Sequence, residues 1–191
     1  MSKLIYVTNT SLDGYIEDES GAFDWGRSEE AFQFATEFLR TIGTTLYGRR
    51  LYETMTFWSD PAETYRPEGR EFAQLWQNMQ KIVFSRTLNV VTAPNTRVEH
   101  SFDSEAVRNV KRESERDMAI GGAEIAGLAI EANLVDECHL LIHPVILGGG
   151  KRALPTGVRR NFKLLETYRI GPDVTYVRYR IDSDQSASET A

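Results

Sequence analysis

The chain has 191 residues, of which 41% are hydrophobic and 26% charged, and its formal net charge is −6. A chain of this length forms one domain with a real core and lacks any apolar run near the roughly 20 residues of a membrane span. The negative charge argues against nucleic acid or an acidic membrane as a general partner, because both require a basic face. The single cysteine, Cys138, excludes an internal disulfide and is typical of a reducing cytoplasm.

The first half of the chain alternates between strand and helix signals. A β-rich run at 3–8 predicts a first, central strand, and Ser28 predicts the N-cap of an amphipathic helix that Gly43 ends. Further strands are predicted at 44–47, 81–84 and 96–99, and further helices from about Arg49, at 68–80 and from a Ser104 cap to Glu115.

The second half changes from helix-strand alternation to strands alone. A strand at 118–120 and a helix at 124–132 are followed by a long strand at 137–147 and a strand pair at 162–169 and 174–181. This order predicts an α/β fold with a mostly parallel central sheet of about eight strands, helices on both faces and an antiparallel C-terminal hairpin. Residues 1–181 are predicted to form one domain, and the small polar residues 182–191 a disordered tail.

The glycines Gly121 and Gly122 stand between a predicted strand and a predicted helix. Without Cβ atoms they permit a sharp turn and close approach of a ligand. The N–H groups and dipole of the following helix favour an anion such as a pyrophosphate. The full G-x-G-x-x-G fingerprint is absent, so a plain tight turn is the alternative interpretation.

Two other predicted strands end in residues that suit phosphate. One is followed by Gly48, Arg49 and Arg50, and another by Ser85 and Arg86. Ligands of parallel sheets bind beyond the carboxyl ends of the strands, and arginine contacts phosphate bidentately. An acidic residue at this place would suit the unphosphorylated ribose of NADH. Arginine instead suits the additional ribose phosphate, so NADPH is favoured over NADH. Taken singly, each arginine is equally explained as a solvated surface residue.

Five segments carry a family resemblance: S-L-D-G-Y-I at 11–16, L-Y-G-R-R-L-Y-E at 46–53, V-F-S-R at 83–86, I-G-G-A-E-I at 120–125 and H-P-V-I-L-G-G-G-K at 143–151. The chain resembles the dihydrofolate reductase-like family, and within it the reductase domain of the bifunctional riboflavin-biosynthesis deaminase-reductase. The resemblance implies a NADPH-dependent reductase, commonly a homodimer, whose Gly-Gly peptide bond is often cis. The cofactor-binding residues that it implies are Val7, Gly48, Arg49, Arg50, Ser85, Arg86, Ile120, Gly121, Gly122, Ala123, Glu124 and Ile125.

The chain departs from the bifunctional enzyme because it has no zinc deaminase signature, which requires H-x-E and P-C-x-x-C. It therefore resembles the reductase half standing alone. The predicted function is hydride transfer to a small heterocyclic or sugar-phosphate substrate, similar to 5-amino-6-(5-phosphoribosylamino)uracil reductase. The alternatives are a diverged NADP-binding protein without turnover and a dihydrofolate reductase.

Candidate residues for chemistry and substrate follow from position. Asp13, after the first strand, and Asp24, before the first helix, are the candidate catalytic carboxylates, although Asp13 also suits a plain Asp-Gly turn. Trp25 and Tyr52 are candidate pocket aromatics. Leu147, Gly148 and Lys151 belong to a glycine-rich turn that is predicted to bind a substrate phosphate as a backbone nest, unless it is only a flexible hairpin. His139 and His143 lack a third ligand, so no metal site is predicted.

Overall fold

The computed structural model describes residues 2–60 and 62–182, so most of the predicted tail lies outside the described residues. The strands are β1 (Leu4–Thr10), β2 (Tyr15–Glu17), β3 (Ile42–Gly48), β4 (Gln80–Phe84), β5 (Thr96–Glu99), β6 (Asp117–Gly121), β7 (Glu137–Ile142), β8 (Lys151–Arg152), β9 (Phe162–Ile170) and β10 (Val174–Ile181). The helices are α1 (Glu29–Thr41), α2 (Arg49–Met55), α3 (Pro67–Asn78), α4 (Ser104–Glu113) and α5 (Ala123–Glu131). None of these helices is long and apolar enough to cross a bilayer.

Eight of the strands form one sheet in the order β5-β4-β3-β6-β1-β7-β10-β9. The pairings from β5 to β7 are all parallel, and β10 runs antiparallel to both β7 and β9. The predicted α/β architecture is therefore confirmed, including its antiparallel end. β2 and β8 form a separate two-stranded ribbon, which the sequence pattern did not predict.

The helices cover both faces of the sheet, as predicted. On one face, α4 and α5 pack through residues such as Val107 and Ile125 against strand residues such as Leu46. On the other face, α1 and α3 pack through residues such as Leu39 and Trp76. Buried residues alternate between these two clusters along the parallel strands, because successive side chains of a strand point to opposite faces.

Three predicted boundaries are wrong. Gly43 does not end α1; the helix passes straight into β3, and a Cβ on Gly43 would lie 3.0 Å from the Cβ of Arg116. Asp103 rather than Ser104 caps α4, and its carboxylate accepts from the backbone N–H groups of the first turn. The predicted strand 137–147 stops at Ile142, because Pro144 has no N–H to continue the ladder.

Candidate functional site

A polar cleft of about 350 Å³ lies at the carboxyl ends of β3, β4 and β6. Register brings these ends together, since Tyr47 pairs with Gly121 and Gly48 with Phe84. The cleft is lined by Gly48, Arg49, Arg50, Leu51, Phe84, Ser85, Arg86, Thr87, Gly122, Ala123, Glu124, Ile125 and Lys151. The three strand ends singled out in the sequence thus meet in one place.

The turn at Gly121 and Gly122 has a backbone conformation and a packing that favour glycine. Gly122 is the N-cap of α5 and has φ of 100°, a conformation that side-chain-bearing residues rarely adopt. A Cβ on Gly122 would lie 3.4 Å from the backbone nitrogen of Gly48. No side chain caps α5, so the N–H groups of its first turn remain for a ligand. Peptide bonds throughout the described residues are trans, so the cis bond implied by the resemblance is not observed.

Four cations and one carboxylate line the cleft. Lys151 Nζ lies 2.9 Å from Glu124 Oε1 and this contact lowers the pKa of Glu124, while Arg49 pairs with Glu53 at 2.9 Å. Arg86 forms no ion pair with any residue in the described part of the chain. An excess of positive charge beside an uncapped helix N-terminus fits a phosphate-bearing cofactor.

An apolar chamber of about 200 Å³ continues the cleft past the glycine turn. It shares Leu51 with the cleft and is lined by Gly121, the neighbour of Gly122. Two more predicted cofactor residues, Val7 and Ile120, line this chamber rather than the polar cleft. The chamber therefore lies between the polar cleft and β1.

A larger aromatic pocket, of about 640 Å³, adjoins the chamber between α1 and α2. The two cavities share Asn9, Ala31, Ala35, Met55 and Phe72. The remaining lining residues of the aromatic pocket are Phe23, Gly26, Arg27, Ser28, Phe32, Thr54, Phe57 and Trp58. Sequence reasoning missed this pocket, because its aromatic residues come from segments that carry no common motif.

Asp13 lies at a hydrogen-bonded contact between two loops. Its carboxylate accepts hydrogen bonds from Ser11 Oγ at 2.6 Å, from the Leu147 backbone N–H at 3.1 Å and from the Gly148 backbone N–H at 2.7 Å. These bonds, that of Ser11 above all, lower the pKa of Asp13 to about 2. Asp13 therefore holds two loops together, and its catalytic role stays a prediction.

Asp24 and Trp25 also lie outside the cavities. Asp24 is exposed on a short 3-10 helix, and the ring of Trp25 packs edge-on against His143 at 5.6 Å between centroids. Neither residue lines the cleft, the chamber or the aromatic pocket. The predictions of a catalytic role for Asp24 and a substrate-stacking role for Trp25 are therefore not supported by their positions.

Tyr52 is a core residue and not a pocket residue. It is 2% exposed, it packs in the cluster that contains Trp76, and its hydroxyl accepts from the Ala93 backbone N–H. The first turn of α2 points Arg49 and Arg50 to the cleft, and Tyr52 faces the sheet beneath them.

The predicted phosphate nest at the glycine-rich turn is already occupied by the protein. The N–H groups of Leu147 and Gly148 donate to Asp13. Lys151 lines the cofactor cleft and not the aromatic pocket, and it pairs with Glu17 and Glu124. The N–H donors of Leu147 and Gly148 are used within the chain, so they are not free for a substrate phosphate.

The sheet order and the cleft across the strand ends define a protein of the dihydrofolate reductase-like fold class. The family profile described as the RibD C-terminal domain matches residues 2–176, so the chain belongs to this family. It is 32% identical to the Bacillus subtilis protein YyaP over 181 residues, which cover 93% of this chain and 94% of YyaP. It is 27% identical to Bacillus subtilis YwjB over 161 residues, covering 78% and 80% of the two chains.

Two solved structures share the fold. A pyrimidine reductase-like protein from Corynebacterium diphtheriae superposes with a TM-score of 0.72 at 14% identity, covering 96% of this chain and 93% of the other. The diaminohydroxyphosphoribosylaminopyrimidine deaminase/5-amino-6-(5-phosphoribosylamino)uracil reductase of Thermotoga maritima gives a TM-score of 0.64 at 18% identity. The superposed region covers 95% of this chain and 57% of the Thermotoga protein.

Proposed function

We propose that the protein is a NADPH-dependent reductase that delivers hydride to a small heterocyclic substrate. The observation that carries this proposal is a row of three adjoining cavities. The polar cleft and the apolar chamber share Leu51 beside the Gly121–Gly122 turn, and the chamber shares Asn9 and Phe72 with the aromatic pocket. Membership of the RibD C-terminal domain family supports a reductase. The pyrimidine reductase named in the Thermotoga relative supports a nitrogen heterocycle as substrate class.

In this proposal the polar cleft holds the phosphates. The free N–H groups at the start of α5 bind the pyrophosphate, and Gly122 allows it to approach the backbone. Arg49 and Arg86, on neighbouring strand ends, bind the phosphate on the adenosine ribose. When bound, NADPH would supply the hydride, and Asn9, Ile120 and Gly121 line the chamber that would hold its reacting ring.

The proton that balances the hydride comes from water in this scheme. Among the described residues, no carboxyl group lines the chamber or the aromatic pocket, and the polar groups there are amide, hydroxyl and guanidinium groups. The hydride forms a C–H bond at an electron-poor ring carbon, the C=N or C=O π bond breaks, and the heteroatom takes a proton from solvent. The residues of the chamber contribute geometry rather than acid catalysis.

We also propose a cytoplasmic homodimer. Cys138, the only cysteine of the chain, is buried and unpaired, which fits a reducing compartment. β9 is the last strand of the sheet and exposes Leu164, Leu165 and Tyr168, and exposed apolar side chains on a sheet edge favour association with a second copy. A molecular mass near that of one chain by light scattering would contradict the dimer.

Cofactor selectivity tests the proposal. Calorimetric titration with NADPH and with NADH should show tight binding of NADPH and measurably weaker binding of NADH. Arg49→Ala should weaken NADPH binding about tenfold or more and leave NADH binding unchanged, because one charge-assisted hydrogen-bond pair is removed. Arg108→Ala, an exposed arginine on α4, is the matched control and should change neither.

The outcomes separate the alternatives. Equal loss of NADPH and NADH in Arg49→Ala would contradict the contact between this residue and the ribose phosphate. Binding of neither cofactor by the wild-type protein would contradict the reductase. NADPH binding without cofactor oxidation across pyrimidine, pterin and dihydrofolate substrates would favour a diverged binding protein.

A further inference from the structure

The lining of the aromatic pocket describes the molecule that fits it. Flat rings face it from three sides: Phe32 from α1, Phe57 and Trp58 from the segment after α2, and Phe72 from α3. Trp58 lies 4.7 Å from Phe72 and 5.7 Å from Phe32 between ring centroids, so these rings support one another as one wall. Aromatic walls of this kind bind flat rings by stacking and by removal of apolar surface from water.

The same pocket offers little to a phosphate. Among the described residues that line it, Arg27 is the only cation, and its guanidinium lies over the ring of Phe23 at 5.3 Å. A phosphate dianion is ordinarily held by several donors, such as two arginines or a run of backbone N–H groups. The other four cations near the site line the cofactor cleft, on the far side of the chamber.

One polar side chain, that of Asn9, lies where the chamber and the aromatic pocket meet. His143 Nε2 donates to Asn9 Oδ1 at 2.9 Å, and burial lowers the pKa of His143, so the imidazole is neutral and the amide is fixed. The amide nitrogen of Asn9 has no hydrogen-bond partner among residues 2–60 and 62–182. Asn9 is exposed to the cavities, so this N–H can donate to a ring carbonyl or ring nitrogen of a ligand in place of water.

We propose that the aromatic pocket takes a flat, uncharged system of two or three fused rings that carries a hydrogen-bond acceptor and no phosphate group. The inference rests on the proposed reductase, because it names the class of substrate that would lie beside the reacting ring of NADPH. A cavity of about 640 Å³ is in the range that holds a drug-sized ligand. The filled nest at Gly148 removes the one other phosphate site that the sequence had indicated.

Three flavin-type compounds form a matched series of probes, because they share a flat ring and differ in the attached group. Lumichrome has no side chain, riboflavin adds a neutral ribityl chain, and flavin mononucleotide adds a phosphate to that chain. Each is titrated by fluorescence quenching with NADP⁺ at saturation, so that the phosphate site of the cleft is filled. We expect lumichrome and riboflavin to bind, and flavin mononucleotide to bind no more tightly than riboflavin.

Two exposed apolar residues give a variant and its control. Phe57 is 61% exposed, lines the pocket and contacts the ring of Trp58 at 5.0 Å, whereas Val90 is 73% exposed and does not line the pocket. A thermal melt of each variant checks that the fold is kept. Phe57→Ser should weaken lumichrome binding about tenfold and leave NADP⁺ binding unchanged. Val90→Ser should change neither.

The proposal is overturned if flavin mononucleotide binds tenfold more tightly than riboflavin, or if Arg27→Gln weakens flavin mononucleotide alone. It is also overturned if neither lumichrome nor riboflavin binds at millimolar concentration while NADP⁺ does. Lumichrome binding that Phe57→Ser weakens, in a protein that fails to bind NADP⁺ or NADPH, would contradict the reductase and still support the ring-binding pocket. The two proposals therefore fail separately.

Discussion

The carboxylate of Asp13 lies 2.7 Å from the backbone nitrogen of Gly148, a residue 135 positions further along the chain. Ser11 Oγ and the Leu147 N–H complete its shell of donors. The contact ties the loop after β1 to the glycine-rich turn, so both loops are held beside the β2–β8 ribbon. What the sequence presents as a catalytic aspartate and a phosphate nest is one internal contact.

Asp13→Asn should lower stability and leave catalysis by the folded protein unchanged. An amide accepts on one side only, so one loop N–H loses its partner, and we expect the melting temperature to fall by about 2–4 °C at pH 7. Because the pKa of Asp13 is lowered from 3.8 to about 2, its contribution is complete above pH 3.8 and is lost as the pH falls through 2. Thermal melts from pH 7 to pH 2 should therefore converge for the two proteins.

Asp24→Asn is the control for this prediction, since Asp24 is exposed and has no comparable donors. Its melting temperature should match that of the wild type. A loss of turnover in Asp13→Asn at unchanged stability would restore a chemical role to Asp13.

The glycine turn is expected to be intolerant of a side chain. Gly122→Ala places a Cβ at φ of 100° and 3.4 Å from the Gly48 nitrogen, and we expect it to cost about 1–3 kcal/mol of unfolding free energy. It should also weaken NADPH binding, because a shift of the strained turn would displace the free N–H groups at the start of α5. Chemical denaturation and calorimetry on one preparation measure both effects.

Gly127→Ala is the matched control in the same helix. Its Cβ would meet Pro155 at an ordinary 3.4 Å, and alanine within a helix is favoured over glycine by about 0.5–1 kcal/mol. Stability should rise slightly or stay constant, with NADPH affinity unchanged. Equal behaviour of the two variants would show that the turn is not a ligand site.

The sequence predicted the features that depend on local motifs and missed the contacts between distant loops. Gly48, Arg86 and Gly122 could be placed together, because the carboxyl ends of parallel strands share one edge of a sheet. The contact between Asp13 and Gly148 could not be placed, since no local pattern indicates which of two distant loops supplies the donors. The order of motifs along the chain predicts which residues lie at the strand ends. Only tertiary packing determines which loops contact each other.

The aromatic pocket shows the same limit. Phe32 belongs to an amphipathic helix, where periodicity assigns it to a buried face without saying what it is buried against. Phe57 and Trp58 lie in a short 3-10 segment after α2 that has no periodic signal. Only the docking of α1, α2 and α3 on one face of the sheet gathers these rings into a pocket.

The partner of Arg49 is expected to limit cofactor affinity. Glu53 Oε1 lies 2.9 Å from Arg49 Nη1, so a ribose phosphate must compete with this carboxylate for the guanidinium. Glu53→Gln should therefore strengthen NADPH binding about twofold and leave NADH unchanged, in keeping with the small free energy of an exposed helical ion pair. Calorimetry at low ionic strength gives the largest difference, because salt screens exposed charges.

Glu99→Gln provides the comparison, since Glu99 pairs in the same way with Arg97 at 3.1 Å on β5, outside the cleft. It should leave both affinities unchanged. Weaker NADPH binding in Glu53→Gln would mean that Glu53 positions Arg49 rather than competing for it.

A buried ion cluster around Glu137 is expected to support the fold where β7 meets β10. Glu137 is 4% exposed in its side chain and contacts Lys3 at 2.6 Å, Arg178 at 2.7 Å and His139 at 3.1 Å. Glu137→Gln removes the counter-charge of Lys3 and leaves Arg178 with only the exposed partner Glu166 at 3.7 Å. We expect a loss of about 3 kcal/mol in unfolding free energy, the low end for a broken buried pair, because Arg178 and Lys3 reach solvent.

The pH dependence of this loss has a definite sign. Burial by itself raises the pKa of Glu137, but hydrogen bonds from Arg178, Lys3 and His139 outweigh it and lower the pKa from 4.5 to about 2. The stability that Glu137 contributes is therefore complete above pH 4.5 and is lost as the pH falls through 2. The free energies of urea unfolding of wild type and Glu137→Gln should differ by a constant amount from pH 7 to pH 5 and converge below that.

Glu166→Gln is the control, because it removes only an exposed partner 3.7 Å from Arg178. Its unfolding free energy should stay within about 0.5 kcal/mol of that of wild type. An equal loss in both variants would contradict the role of burial.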